Sequence, residues 1–216
     1  MDHAHHQIDP GIYFQKTEAV SKLIAFFDFD GTITTKDTLL EFIKYNKGML
    51  RFYTGFALHA PVLVAYKLNI ISNQRAKEIM LRHFFGGMDV DKFNSIAAEF
   101  STSVVPSLIR PKALSEIEKL KTLNAEIVIV SASPENWLSG WCARQGIRCI
   151  ATRLIVEENK ITGRILGINC HGEEKVSRIR SQYDLSDYSN VYSYGDTNGD
   201  LPMLALGTYR FFKPFR

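Results

Sequence analysis

The sequence predicts an α/β fold, a parallel sheet core carrying an inserted helical cap. Three observations carry that expectation: apolar runs that stop abruptly at polar turns, helical stripes between those runs, and a gap of about ninety residues after the first run, where a strand-to-helix connection needs only ~2 to 6. The chain has 216 residues, 45% hydrophobic and 23% charged, a balance that excludes a largely disordered chain. Fourteen glycines and seven prolines are too few for a collagen-like or linker-dominated one.

The first run is LIAFFDF, residues 23–29, which ends at Asp30-Gly31-Thr32 and reads as a buried strand entering a turn. A second, AEIVIV at 125–130, ends in Ser131-Ala132-Ser133-Pro134; a third, NVYSY at 190–194, ends in Gly195-Asp196. Ser133 is placed to cap a helix starting at Pro134, and residues 199–206 supply another helix after the third strand. Before the second strand, residues 112–123 place apolar side chains at 113, 114, 117, 120 and 123, a stripe suited to covering a sheet. Residues 154–167 alternate around Asn159-Lys160 and predict a hairpin appended to the core.

Within the long gap, helical patterning is expected over 38–45, 50–71, 73–85 and 89–100, with Gly86-Gly87 and Pro106 as breaks. The division that follows is a poorly ordered leader at 1–20, a core of 21–36 with 105–216, and a cap of 37–104. His3, His5 and His6 belong to that leader.

Charge and cysteine content narrow the function. The formal net charge of +3 is too small to argue for nucleic acid. Cys142, Cys149 and Cys170 are odd in number and lack CxxC spacing, which fits neither a disulfide framework nor a structural zinc site. The first twenty residues lack a basic start followed by an apolar run, so a cytoplasmic location is expected.

The chemistry gathers at the strand ends, where ligands of parallel sheets bind. Asp28, Asp30, Asp196 and Asp200 fall on the ends of two strands expected to be neighbours. Crowded carboxylates raise each other's pKa unless a cation joins them, and an oxygen-only donor set favours Mg²⁺. Two residues apart on a strand, Asp28 and Asp30 point to one side.

These motifs, Phe27-Asp28-Phe29-Asp30-Gly31-Thr32, then Ser131, then Lys175, then Gly195-Asp196-Thr197-Asn198-Gly199-Asp200, resemble in kind and order those of the haloacid dehalogenase-like hydrolase superfamily, over residues 23 to 211. Within it the chain is similar to the phosphoserine-phosphatase-like branch, which inserts a helical cap after its first motif into a Rossmann-like core. The resemblance implies a Mg²⁺-dependent phosphomonoesterase in which Asp28 is the nucleophile that becomes an aspartyl-phosphate, and Asp30 the general acid and base. It further implies metal ligation by the Asp28 and Asp196 carboxylates and the Asp30 carbonyl, with Ser131, the Ala132 turn and Lys175 holding the phosphoryl group. Asp200 would orient Lys175 or a metal-bound water; Thr32 would bond the loop or help position Asp30. True dehalogenation is disfavoured, because that chemistry uses no Mg²⁺ and needs no acid such as Asp30.

Two positions depart from the branch. Asn198 sits two residues after Asp196, where the pattern has its Asn three after, which removes the basis for a direct substrate contact. Asp37 stands where phosphoserine phosphatases carry a Glu that meets the substrate amine; it is equally suited to the N-terminus of a helix. From Phe42 to Lys77 there is no acidic residue but six basic ones, and FYTGFALHAPVLVAY, 52–66, carries no formally charged side chain. At 15 residues with Pro61 inside, that run is too short for a membrane span of ~20, leaving internal packing or contact with a lipid surface as its readings. HGEEKV and YSYGDTNGDLPML are similar to the phosphatidylglycerophosphatase C-like members of the branch. The substrates so implied are a phospholipid phosphate, or else phosphoserine or another small phosphorylated metabolite, with Arg75 and Arg82 as candidate headgroup contacts; a silent phosphate-binding protein is the reading of another class.

Overall fold

The computed structural model describes residues 22–216; the leader and its histidines lie outside the described residues. Strand β1, Leu23–Phe27, sits in the middle of a five-stranded sheet because nearly every side chain on both of its faces is apolar and buried. Successive residues alternate between faces: Ile24 and Phe26 join one core layer with Val128, Val130 and Ile179, whereas Ala25 and Phe27 join the other with Ile127, Ile129 and Tyr194.

After β1 come a wide turn at Phe29–Ile33 and four helices, α1 (Thr38–Leu58), α2 (Ala60–Lys67), α3 (Asn73–Phe85) and α4 (Val90–Ser103). The chain returns through the short α5 (Val105–Leu108) and α6 (Pro111–Thr122) to strand β2 (Ala125–Pro134). Next come α7 (Glu135–Arg144), β3 (Arg148–Thr152), the hairpin β4 (Leu154–Glu157) and β5 (Lys160–Ile165), then α8 (Glu173–Arg180), β6 (Asn190–Gly195), α9 (Leu201–Leu206) and β7 (Tyr209–Phe212). The main sheet runs β3-β2-β1-β6-β7, parallel at every pairing. The α/β class, with a Rossmann-like sheet, is therefore as the sequence implied.

Register delivers the strand ends to one place. Phe27 lies level with Ile129 of β2 and Tyr194 of β6, and Asp28 N–H donates to the Tyr194 carbonyl at 2.9 Å. Phe27 stacks on Tyr194 at 4.1 Å, and Tyr194 on Phe211 of β7 at 4.6 Å, which locks three strands in that register. The inserted helices anchor to the core through Phe42 of α1, stacked on Trp137 of α7 at 4.6 Å and meeting Phe93 and Phe100 of α4 edge-on. Such aromatic pairs contribute about 0.5–1.5 kcal/mol each beyond the area they bury.

Several local expectations are corrected. Residues 50–71 do not form one helix: α1 begins at Thr38, bends at Gly48, whose φ of +78° suits glycine, and gives way at His59 to α2. Strand β2 continues past Val130 because β3 pairs with Ser131 and, across a bulge, with Pro134. Ser133 caps nothing: Pro134 holds the position before α7, and the Ser133 hydroxyl turns to Asp30. The hairpin turn is Glu158-Asn159, both at positive φ, one residue earlier than expected. That hairpin packs chiefly on α3, with Ile161 exchanging backbone bonds with Gly87 and Met88 and Glu78 accepting the Ile165 N–H at 3.0 Å. All three cysteines are free thiols.

Candidate active site

Asp28 leaves the end of β1 into a nearly closed environment, and Lys175, the third residue of α8, reaches it from the neighbouring layer. Lys175 Nζ stands 2.6 Å from Asp28 Oδ1 and 2.7 Å from Asp200 Oδ1, with all three side chains buried. Burial lowers the pKa of an ammonium, yet the two carboxylates outweigh it and hold Lys175 above the ordinary lysine range. Burial likewise pushes Asp28 up, to about 7, with Lys175 pulling it down and Asp200 adding to the rise. Asp200 resists the same burial because Lys175 and the Thr197 N–H and hydroxyl stabilise its anion, which keeps it below the usual carboxylate range. Its second oxygen also accepts the Asp196 N–H at 3.1 Å, so Asp200 spends both oxygens on holding its neighbours.

Asp28, Asp196 and Asp200 each bring one carboxylate oxygen within 4.8 Å of the others. Between Asp28 Oδ2 and Asp196 Oδ1 lies the Thr32 hydroxyl, at 3.1 and 3.2 Å. A hydroxyl has one proton to give, so it serves one of these two oxygens at a time and leaves the other oxygen without a donor. Arg216 pairs with the remaining oxygen of Asp196, and burial raises the Asp196 pKa. Two buried carboxylates short of donors, facing one another and offering only oxygen, fit a hard divalent cation. Gly31 makes the approach possible: at φ +81°, a Cβ there would lie 2.6 Å from Asp196 Oδ2.

Asp30 is turned away from this cluster towards the inserted helices. Its Oδ1 accepts both the Thr38 N–H at 2.7 Å and the Thr38 hydroxyl at 2.6 Å, and its Oδ2 lies 2.6 Å from Ser133 Oγ. Trp137 Nε1–H donates to Thr38 Oγ1 at 3.0 Å, which leaves the Thr38 proton for Asp30 at 2.6 Å, with Ser133 Oγ also near at 3.2 Å. Oδ1 thus takes two bonds from Thr38, whereas Oδ2 faces a single hydroxyl, that of Ser133.

A cleft of about 540 Å³ lies over these groups, walled by Tyr66, Asn69 and Lys77 of the insertion and by Ala132, Ser133 and His171 of the core. Lys77 Nζ donates to the Ala132 carbonyl at 3.0 Å and makes no ion pair among the described residues. Burial pushes its pKa down against the pull of Asp37 and Asp30. Asp37 both caps α1, accepting the Leu40 N–H at 3.1 Å, and lines the cleft. Asp37 is exposed as a residue, yet the crowding of its carboxyl by neighbouring groups, with Asp30 close by, pushes it up to about 6.

The structure thus gathers Asp28, Asp30, Thr32, Lys175, Asp196 and Asp200 at one place. Ser131 is at the same strand end but fully buried, its oxygen taking the Ser133 N–H at 3.0 Å, while Ala132 and Ser133 form the cleft surface. Asn198 sits exposed on the wall without a side-chain hydrogen bond among the described residues. Arg75 and Arg82 do not line the cleft; both are exposed on α3. Sequence reasoning missed Thr38, Ser133 and Trp137 as partners of Asp30, and Lys77 as a wall of the cleft. Lys77 was detectable, since it lies three and four residues before Met80 and Leu81 on the buried stripe of α3.

Residues 25–205 match the model of the haloacid dehalogenase-like hydrolases. Protein CicA of Caulobacter vibrioides is 34% identical over 196 residues, covering 90% of this chain and 87% of that one. A probable phosphatase of Mycobacterium tuberculosis is 31% identical over 207 residues, covering 91% of this chain and 70% of the relative. A phosphoserine phosphohydrolase-like protein from Francisella tularensis superposes with a TM-score of 0.65 at 16% identity, covering 88% and 85% of the two chains. The chain belongs to the haloacid dehalogenase-like hydrolase family.

Proposed function

We propose that the protein is a Mg²⁺-dependent phosphomonoester hydrolase working through an aspartyl-phosphate on Asp28. The observation that carries this reading is the pair of differently held carboxylates: Asp28 tied to Lys175 beside the acidic cluster, and Asp30 held apart with one oxygen facing a single hydroxyl. Asp28 attacks phosphorus, the bond to the leaving oxygen breaks, and Asp30 supplies that oxygen with its proton. Water then attacks the acyl phosphate, gives its proton back to Asp30, and releases phosphate with the Asp28 carboxylate restored. Lys175 pulls Asp28 towards its anion against burial and meets the charge developing on the phosphoryl oxygens, together with the Ala132 turn. Mg²⁺ held by Asp28, Asp196 and the Asp30 carbonyl would offset repulsion between nucleophile and phosphate.

The helices inserted between β1 and β2 act as a cap that chooses the leaving group. A phospholipid phosphate such as phosphatidylglycerophosphate is the substrate we favour, because Tyr66 and Asn69 of the cleft wall belong to the same acid-free, apolar stretch that faces outward. One observation favours phosphoserine instead: Asp37 lines the cleft, where an amine would find it. Hydrolysis of a chromogenic phosphate, abolished by chelation and lowered by orders of magnitude in Asp28→Asn and Asp30→Asn, tests the chemistry. Parallel assays on phosphoserine, sugar phosphates and phosphatidylglycerophosphate test the substrate. A folded, metal-loaded protein inactive on all of them would make it a phosphate binder without turnover.

A further inference from the structure

The second half of α1 and α2 follow one another through His59, whose N–H donates to the Gly55 carbonyl and whose own carbonyl accepts the Leu63 N–H, and together they carry exposed side chains from Leu50 to Leu68. The inner side of this rod, Phe52, Phe56 and Leu63, packs on the rest of the insertion. An ordinary surface helix would then turn charge outward. Here the outward positions 50, 53, 57, 61, 64 and 68 are Leu, Tyr, Ala, Pro, Val and Leu, spaced by three and four. Leu50 is 78% exposed and Leu68 65%, and Ile70, just beyond α2, is 71% exposed. Every exposed position from 48 to 70 is apolar, uncharged or basic, with Arg51 and Lys67 each beside a residue of the stripe.

We infer that this outward stripe docks on an anionic bilayer surface, with the rod lying in the interface and the mouth of the cleft brought down beside it. Basic flanks and the lack of any carboxylate select that occupant, because an apolar face with cationic edges is suited to lie at an anionic headgroup boundary. Among the described residues no helix is long and apolar enough to cross a membrane, so the contact is peripheral. Tyr66 and Asn69 tie the surface to the site, as they line the catalytic cleft from the same segment. The docking itself is independent of catalysis; its use, delivery of an amphiphilic phosphoester, rests on the function proposed above.

The test is co-sedimentation of the full chain with phosphatidylcholine vesicles, with and without phosphatidylglycerol, at low and high salt. Binding is expected to require the anionic lipid and to weaken with salt. Arg51→Gln with Lys67→Gln is expected to weaken it by about fivefold per charge, and Leu50→Asp with Val64→Asp and Leu68→Asp to abolish it. All of these variants should hydrolyse a soluble chromogenic phosphate normally, and Asp28→Asn should bind vesicles as the native chain does. Absence of anion-dependent sedimentation overturns the inference while leaving the hydrolase reading intact. So does self-association in solution that the three-residue apolar variant breaks, since the stripe would then be covered by a second copy.

Discussion

The chain of bonds from Trp137 through Thr38 to Asp30 makes a prediction that separates a positioned acid from a loosely held one. Thr38 is fully buried, its hydroxyl accepts from an indole at 3.0 Å and donates to a carboxylate at 2.6 Å. Thr38→Val keeps the shape but removes a charge-assisted bond, worth about 1.5–3 kcal/mol, and leaves the indole N–H buried without an acceptor, at about 1–3 kcal/mol. Denaturant unfolding should therefore show a loss on the order of 3–5 kcal/mol. Adding Trp137→Phe removes the orphaned donor, so the double variant should recover about 1–3 kcal/mol relative to the sum of the single losses. In the enzyme assay, Thr38→Val should lower kcat on the order of tenfold with KM little changed, because the acid is displaced while the phosphate contacts stay. Additive stability losses in the cycle, or native kcat in Thr38→Val, would refute the relay.

Three other perturbations bear on the site. Lys77→Met should raise KM for phosphate esters on the order of tenfold with a smaller change in kcat, since it removes a cation from the cleft wall but not from the reacting groups; steady-state kinetics decides it. Gly31→Ala forces a side chain into a left-handed conformation and against Asp196, so a Mg²⁺ titration followed by thermal shift should give weaker affinity, and unchanged affinity would contradict the close approach. The metal-free protein should lose stability as pH rises. Asp28, near 3.8 when unfolded and about 7 when folded, is stabilising while protonated, fully so below the unfolded value, and that contribution disappears as pH climbs through about 7. Its ceiling is roughly 4 kcal/mol. Mg²⁺ ligated as proposed would hold Asp28 ionised, so the thermal shift that it gives should grow from about pH 5 to about pH 8, and a shift independent of pH would count against ligation by Asp28.

The sheet was legible because β1, β2 and β6 are largely buried on both faces, which writes a mostly apolar run into the sequence and a polar residue where each run ends. Strands β3 and β7 were not, because they lie at the sheet edges: Arg148, Tyr209 and Phe212 are exposed, and neither run has the length or the apolar purity that marks a central strand. The insertion was legible as helical but not in its breaks, since Gly48 permits the bend and Pro61 the start of α2 without either residue requiring it.

The site divides along the same line. Asp28, Asp30, Asp196 and Asp200 are tied to strand ends, so order and spacing along the chain suffice to bring them together. The groups that surround them come from elsewhere. Thr38 and Lys77 arrive on inserted helices, Ser133 lies past a bulge, and Trp137, which bonds Thr38 rather than Asp30 itself, is brought up by the stacking of Phe42 of α1 on α7. Two chemically alike carboxylates two residues apart thus end in unlike surroundings, one beside a lysine and an acidic cluster, the other among hydroxyls. On the proposed mechanism that asymmetry is what separates a nucleophile from a proton carrier, and packing between the insertion and the core produces it.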